Sequence, residues 1–208
     1  MKELINHCKS IAEFGGPSPL FEDIYKLFPD IDGYNLFDNN YWQKEFKETY
    51  IGKGKQFNQD VVEVKSDKFY DLIICSHVIE HIANPLKAIR SWQSILEHDG
   101  IILSIIPDKS MMFDCKRPLT RLDHIVMDWY NDIQESDETH IKEAIELFEN
   151  NGGYDYENYV KSLKDNLKYR AIHHHCFDAE LVKGLFTLLH MKIVKQEQIG
   201  MHIWTLAK

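Results

Sequence analysis

The sequence lacks the features that mark several large classes of protein. Its 208 residues contain no block of Lys and Arg, and the formal net charge is −9. Because a protein that binds nucleic acid neutralises phosphates with a basic surface, we expect no nucleic acid among the partners. We expect a small-molecule substrate instead.

Long apolar runs and paired cysteines are absent as well. No apolar run approaches the roughly 20 residues of a membrane span, and the polar segment before Ser10 is too short for a signal peptide. The four cysteines are dispersed without a CxxC pair, which is typical of reduced thiols inside the cell. The sequence therefore predicts a soluble cytoplasmic protein with no membrane partner.

The residues that are present predict one globular domain over residues 1–208, with 44% hydrophobic content and no internal repeat. The most informative segment begins with Tyr70 to Cys75, an apolar run typical of a strand buried on both faces of a parallel sheet. A helix is predicted to begin at Asn84-Pro85 and to end at Asp99-Gly100. The run from Ile101 to Ile106 predicts the next strand.

Further elements precede and follow this segment. On the N-terminal side we predict a strand at Ser10–Phe14, a glycine turn at Gly15-Gly16, a helix at Phe21–Phe28 and a second strand at Ile31–Phe37. A surface helix is predicted at Tyr41–Tyr50, and the stretch Gln56–Val64 is ambiguous. At the C-terminal end we predict a helix capped by Asp178 and an antiparallel pair formed by Lys192–Ile199 and His202–Ala207. This alternation predicts an α/β fold with a doubly wound sheet, mostly parallel, whose final strand is antiparallel.

Residues 109–172 interrupt the alternation after the fifth strand. This insertion is rich in charged and aromatic residues and has a helical pattern only around Ile141 to Phe148. Because it follows the carboxyl end of a parallel strand, where open α/β sheets bind ligands, we expect a lid over the substrate.

Several of these segments resemble class I S-adenosylmethionine-dependent methyltransferases. AEFGGPSP at Ala12 to Pro19 is similar to the first motif of the family, and YDLIICSHVIEH at Tyr70 to His81, with the helix and strand that follow, is similar to its fourth and fifth strands. The resemblance implies a Rossmann-like methyltransferase fold. RPLTRLDH at Arg117 to His124 and HHHCFD at His173 to Asp178 resemble a subgroup associated with surface polysaccharide and antigen biosynthesis.

The resemblance also implies the cofactor, S-adenosylmethionine, with S-adenosylhomocysteine as product. In the family the glycine turn approaches the methionine part, where a Cβ would block access. The ribose is expected to bind Asn35 or Asp38, and the sequence leaves both open. The cofactor-binding residues implied are Glu13, Gly15, Gly16, Asn35, Asp38, Asp60, Val61 and Ser76.

His77, Glu80 and His81 follow the fourth strand with i, i+3, i+4 spacing. They resemble the E-x-x-E-H metal turn of small-RNA 2′-O-methyltransferases and ubiquinone-pathway O-methyltransferases, with His77 in place of the first Glu. A divalent metal held there would lower the pKa of a substrate hydroxyl, and His124 is a further ligand candidate. The alternative is that Glu80 and His81 form a structural hydrogen-bonded pair.

Without a metal, a general base must accept the proton of the hydroxyl, and histidine has a suitable pKa. His77 is the first candidate, followed by His124 and the three consecutive histidines. In an extended segment alternate side chains face opposite sides, so we expect either His174 to face the site or His173 and His175 together. Asp114, Arg117 and Asp128 in the insertion are candidates for substrate binding or for salt bridges within the lid.

Three functions remain open on the sequence alone. The first is O-methylation of a small hydroxylated metabolite, such as a sugar or a nucleotide-linked or phosphorylated precursor of capsule or another surface polysaccharide. The second is metal-dependent RNA 2′-O-methylation, and the third is an inactive methyltransferase fold that acts as a binding protein. Because few residues precede Ser10, the lid or a second subunit of a homodimer is expected to close the cofactor pocket.

Overall fold

A computed structural model describes residues 2–36, 54–150 and 153–208. Seven strands in these ranges form one sheet in the order β3-β2-β1-β4-β5-β7-β6. The first five strands are parallel, and β7 lies antiparallel between β5 and β6. The strands are β1 Ile11–Phe14, β2 Asp32–Asn35, β3 Gln56–Asn58, β4 Tyr70–Ser76, β5 Leu96–Pro107, β6 Ile193–Ile199 and β7 His202–Ala207.

Helices cover both faces of this sheet. Alternate residues of β4 belong to two separate apolar cores, one with Ile73 and the other with Leu72. The predicted doubly wound α/β fold with an antiparallel final strand is therefore confirmed. The described helices are α1 Lys2–Ile5, α2 Glu22–Leu27, α3 Pro85–Gln93, α4 Leu122–Tyr130, α5 Ile141–Glu146, α6 Tyr156–Leu163, α7 Asn166–Tyr169 and α8 Ala179–Leu188.

The boundary between α3 and β5 differs from the sequence-based prediction. The helix begins at Pro85, where the Asn84 side chain accepts a hydrogen bond from the Lys87 amide, but it ends at Gln93. The prediction that it continues to Asp99 is wrong, because β5 already begins at Leu96. The Ile95 carbonyl accepts a hydrogen bond from the Tyr70 amide, which joins the start of this segment to β4.

Two predictions concern the region before β4. The ambiguous stretch Gln56–Val64 forms the short strand β3 followed by a turn. The surface helix predicted at Tyr41–Tyr50 lies outside the described residues.

The insertion between β5 and α8 is more helical than the sequence indicates. It contains α4 to α7, of which only α5 coincides with the predicted pattern. Ala144, Leu163 and Ile172 form a small apolar core of its own, separate from the two cores of the sheet. Among the residues that the structure describes, none of the helices has both the length and the apolar content that a membrane span requires.

A substitution of Trp92 tests how α3 stabilises the turn after β3. Its buried indole Nε1 donates a hydrogen bond of 2.6 Å to the Val61 carbonyl. We expect Trp92→Phe to lower the free energy of unfolding by about 2 kcal/mol, because a buried carbonyl loses its partner. Trp129→Phe is the matched control, since Trp129 is 42% exposed, and it should change the value by less than about 0.5 kcal/mol. Equal losses in urea denaturation would contradict this role.

Candidate active site

A cavity of about 220 Å³ opens at the carboxyl edge of the sheet. The strand order reverses between β1 and β4, and open α/β sheets bind ligands at such a switch point. The residues that line the cavity come from the ends of β1, β2 and β4, from the turn after β3 and from the insertion. They are Gly15, Asn35, Leu36, Asp60, Val61, Val62, His77, Val78, His81, Ile82, Glu135, Tyr169 and Arg170.

The glycine turn after β1 brings backbone to the cavity wall. Gly15 has φ of 68°, a left-handed conformation that favours glycine, and its amide donates to the Tyr34 carbonyl at 3.0 Å. A Cβ on Gly15 would overlap Val78, and a Cβ on Gly16 would overlap the Glu13 carboxylate. Both positions thus require glycine for the close packing of the turn.

Glu13 lies at the end of β1 beneath this turn. Its Oε1 accepts hydrogen bonds from the Tyr25 hydroxyl at 2.7 Å and from the Ser18 amide at 3.2 Å. Burial raises the pKa of Glu13 to about 7, although the two hydrogen bonds lower it. Glu13, Gly16 and Ser76 are buried or partly buried behind the cavity wall and do not line it.

Asn35 is the cavity residue at the end of β2. It is buried, and its Oδ1 has no hydrogen-bond partner among the described residues. An unpartnered buried acceptor is costly unless a ligand supplies a donor, so Asn35 suits a hydroxylated ligand. Asp38, the other ribose candidate, lies outside the described residues.

The insertion closes the cavity through charged contacts. Asp60 Oδ1 accepts from the Val62 amide at 3.1 Å, which shapes the turn after β3. Its Oδ2 forms an ion pair with Arg170 of the insertion, and Arg170 also contacts Glu135. These three residues join the cofactor side of the cavity to the insertion.

His77 forms the corner between β4 and the following turn. It has φ of 54°, and its amide donates to the Ile105 carbonyl at 2.9 Å. The ring Nε2 lies 3.0 Å from Nδ1 of His202 on β7. Burial, with smaller effects of His202 and His173, lowers the pKa of His77 to about 4. His77 is therefore a neutral imidazole at physiological pH.

Glu80, His81 and His173 form a group next to this corner, in which Glu80 and His173 are buried and His81 is partly exposed. One carboxylate oxygen and two imidazole nitrogens lie within 4.8 Å of one another. Both oxygens of Glu80 lack a hydrogen-bond partner among the described residues, and burial raises its pKa to about 8. Burial also lowers the pKa of His81 well below its usual range.

In each of the two imidazoles of this group, Nδ1 has a hydrogen-bond partner. Nδ1 of His81 lies 2.9 Å from the Ile172 carbonyl, so it carries a proton and donates. Nδ1 of His173 lies 2.9 Å from Oδ2 of Asp114 and donates to that carboxylate. In a neutral ring, donation from Nδ1 leaves the lone pair on Nε2, which is the arrangement of metal-binding histidines.

The structure thus groups the predicted metal residues differently. Glu80 and His81 are together as expected, but His173 takes the third place in the group, and His77 lies 3.6 Å from Glu80 Oε1 on its other side. Sequence reasoning could not find His173 as a partner, because the chain brings it back from the far end of the insertion. Its position depends on Asp114 and on the hydrogen bond of Ile172 with His81.

Other predicted residues lie away from the cavity wall. Arg117 is buried and already paired, because Nε donates to Glu143 at 2.8 Å and a terminal nitrogen donates to the His173 carbonyl at 2.6 Å. His174 is buried with both ring nitrogens unpartnered among the described residues, and its amide donates to the Glu80 carbonyl. His124 and His175 lie in a second group with Asp128.

A comparison of the sequence with models of protein families identifies the family of this chain. A family model described as a methyltransferase domain matches residues 9–186. The chain belongs to this methyltransferase family. It is an S-adenosylmethionine-dependent enzyme, as the sequence motifs imply. A search of curated protein sequences finds no match to it.

Solved structures share the fold of this methyltransferase at low identity. An S-adenosylmethionine-dependent methyltransferase of Clostridium acetobutylicum is 12% identical, with a TM-score of 0.56 over 100% of this chain and 87% of the other. Human N-acetylserotonin methyltransferase, solved with S-adenosylmethionine, is 12% identical, with a TM-score of 0.55 over 98% of this chain and 48% of its own. A protein of Rhodobacter sphaeroides named as a zinc-dependent alcohol dehydrogenase is 11% identical, with a TM-score of 0.62 over 100% and 88%.

The cavity fits the cofactor of this methyltransferase. The glycine turn excludes side chains from one wall, and the free Oδ1 of Asn35 offers an acceptor for a hydroxyl. Asp60 and Val61 line the side after β3. The predicted contacts of these individual residues with the cofactor remain predictions.

Gly15→Ala tests the glycine turn of the methyltransferase. The new Cβ would meet Val78 across the cavity wall, so we expect affinity for S-adenosylhomocysteine to fall more than about tenfold in calorimetry. Gly153→Ala is the matched control, because Gly153 also has positive φ, of 76°, but nothing lies within 4 Å of the added Cβ. Both changes share a conformational cost of about 1–2 kcal/mol. Equal affinities in the two variants would contradict the assignment.

Glu13→Gln tests the buried carboxyl group of the methyltransferase. The folded-state pKa is about 7 against a usual 4.5, so the unfolded chain loses its proton first as pH rises. Stability of the wild type should therefore decrease between pH 4.5 and 7, by about 3 kcal/mol relative to Glu13→Gln. Urea denaturation of both proteins across this range measures the difference. A difference independent of pH would show that Glu13 ionises normally.

Proposed function

We propose that this methyltransferase transfers the methyl group to a hydroxyl oxygen of a small metabolite. The observation that carries the proposal is the group of Glu80, His81 and His173 beside the cavity. A hydroxyl is a poor nucleophile until its proton is removed, and this group, together with the neutral His77, supplies the chemistry for that step.

Glu80, His81 and His173 would hold a divalent metal ion. Two imidazoles and a carboxylate are a suitable donor set, and the hydrogen bonds from Nδ1 of His81 and His173 fix the rings with Nε2 free. The carboxyl group of Glu80 is the second indication, because it has no hydrogen-bond partner among the described residues, and a bound cation would replace the proton that its raised pKa retains. When bound, the metal supplies a lower pKa for the substrate hydroxyl and orients it.

His77 is the proposed proton acceptor. It lines the cavity and is unprotonated, and because burial lowers its pKa to about 4 it is a weak base that would receive the proton late in the methyl transfer. Its contact with His202 at 3.0 Å orients the ring and offers a route for the proton toward β7. General base catalysis of this kind contributes roughly 10²-fold to 10⁴-fold.

A sugar or a nucleotide-linked or phosphorylated precursor of a surface polysaccharide is the proposed substrate class. The resemblance of the RPLTRLDH and HHHCFD segments to polysaccharide-associated methyltransferases supports it. The insertion adds Glu135, Tyr169 and Arg170 to the cavity, and these polar groups suit a hydroxylated or anionic molecule. The net charge of −9 favours a small substrate over RNA.

The test is a search for methyl transfer in metabolite extracts. The enzyme is incubated with S-adenosylmethionine and extract, with added divalent metal or with chelator, and products that gain the mass of one methyl group are identified. We expect such a product, formed faster with metal. Binding of S-adenosylhomocysteine without any methylated product would favour an inactive binding protein. Methylated RNA would favour an RNA 2′-O-methyltransferase.

Variants of His81 and His77 separate the proposed metal ligand from the proposed proton acceptor. His81→Ala should abolish stimulation by metal and lower kcat/KM about 100-fold or more, because a ligand is lost. His77→Ala should lower kcat by at least about 10²-fold while metal binding persists. His98→Ala is the control, since His98 is fully exposed at the start of β5. A wild-type rate unaffected by chelator, with full activity of His81→Ala, would exclude the metal and leave His77 as the base alone.

A further inference from the structure

A second histidine group lies in the insertion and shares no residue with the group at the turn. His124 and Asp128 are one turn apart on α4 and face the same side. Nε2 of His124 lies 3.3 Å from Oδ2 of Asp128, and Nε2 of His175 lies 3.6 Å from the same oxygen. His140, just before α5, places its Nε2 3.3 Å from Nε2 of His124.

Hydrogen bonds explain these contacts only in part. Nε2 of His124 and Nε2 of His140 can share one proton, and Nε2 of His175 donates to the Ala83 carbonyl. Oδ2 of Asp128 is left without a hydrogen-bond partner among the described residues. A cation bound by the group would supply that partner.

The distances agree with a tetrahedral ion. Zinc binds imidazole nitrogen and carboxylate oxygen at roughly 2.0–2.2 Å, which places neighbouring ligand atoms roughly 3.3–3.5 Å apart. Oδ2 of Asp128 lies 3.3 Å from His124 and 3.6 Å from His175, and the ligand atoms of these three residues all lie within 4.8 Å of one another. His140 lies 3.3 Å from His124 but outside this compact group. We propose that His124, Asp128 and His175 hold a structural zinc ion, and that a movement of the His140 side chain adds the fourth ligand.

The burial of the group supports this assignment. Oδ2 of Asp128 is buried and has no hydrogen-bond partner among the described residues, and His175 is also buried. The side chain of His124 is 42% exposed, so an ion can enter from solvent. Nε2 of His175 also lies 3.2 Å from the Ala83 carbonyl, and binding of the ion replaces this hydrogen bond.

The proposed ion would join segments that are far apart in the chain. It connects α4, the start of α5 and the segment of His173 to His175, which follows the insertion. The same segment places His173 next to Glu80 and His81, and its His174 amide donates to the Glu80 carbonyl at 2.8 Å. Zinc bound in the insertion would therefore fix the wall of the active site without contacting the substrate.

Zinc stoichiometry tests the proposal in the full-length protein. Apo protein is reconstituted with zinc chloride, passed through a desalting column and measured by mass spectrometry of the metal. We expect His124→Ala and His140→Ala to retain one zinc equivalent fewer than the wild type, and a remaining affinity more than roughly 100-fold weaker. His98→Ala should keep the wild-type zinc content. Because the group at the turn can also bind zinc, His124→Ala is measured in the His81→Ala background as well, where it should again remove one equivalent.

Cobalt gives a second readout that reports geometry. With cobalt(II) chloride the wild type and His81→Ala should show the intense visible absorption of a tetrahedral ion, and His124→Ala should lose it. Circular dichroism verifies folding, and His124→Gln replaces any alanine variant that does not fold. Equal zinc content and equal cobalt spectra in the wild type and the folded His124 variant would overturn the proposal, as would a wild type that binds no zinc.

Discussion

Two backbone hydrogen bonds fix the turn after β4, and the rest of the site depends on them. The His77 amide donates to the Ile105 carbonyl of β5 at 2.9 Å, and the Glu80 carbonyl accepts from the His174 amide at 2.8 Å. The first bond holds His77 in a left-handed conformation at the cavity corner, and the second attaches the turn to the segment beyond the insertion. Val78, in the same turn, packs so closely on the glycine turn of β1 that no Cβ fits there. One short turn therefore shapes both the cofactor cavity and the chemical group beside it.

Burial gives this turn its chemistry. His77 and His81 are neutral because burial lowers their pKa values, whereas burial raises the pKa of Glu80 to about 8. A neutral imidazole can accept a proton or bind a metal, and the carboxyl group of Glu80 has no hydrogen-bond partner among the described residues. The insertion completes the arrangement by supplying the Ile172 carbonyl and Asp114, which orient the rings of His81 and His173. The same insertion lines the cavity through Arg170, which pairs with Asp60.

The sequence predicts the sheet well because local patterns determine it. Apolar runs mark β4 and β5, and Asn84 and Asp178 mark the starts of α3 and α8 through side-chain caps. The insertion was predicted poorly, since its helices are short and stabilised by contacts with one another around Leu163 and Ile172. The site was predicted in part: Glu80 and His81 are local neighbours, but no local pattern indicates that His173 joins them. Such long-range pairing is set by the path of the chain through the insertion.

We propose that the acceptor atom is an oxygen activated beside Glu80, His81 and His173. S-adenosylmethionine labelled with ¹³C in the transferred methyl group tests this proposal. After incubation with a metabolite extract, nuclear magnetic resonance identifies the atom to which the labelled methyl carbon is bonded. We expect a methyl carbon bonded to oxygen in a small hydroxylated product. A labelled methyl group bonded to nitrogen or sulfur would show that the proposed acceptor is wrong.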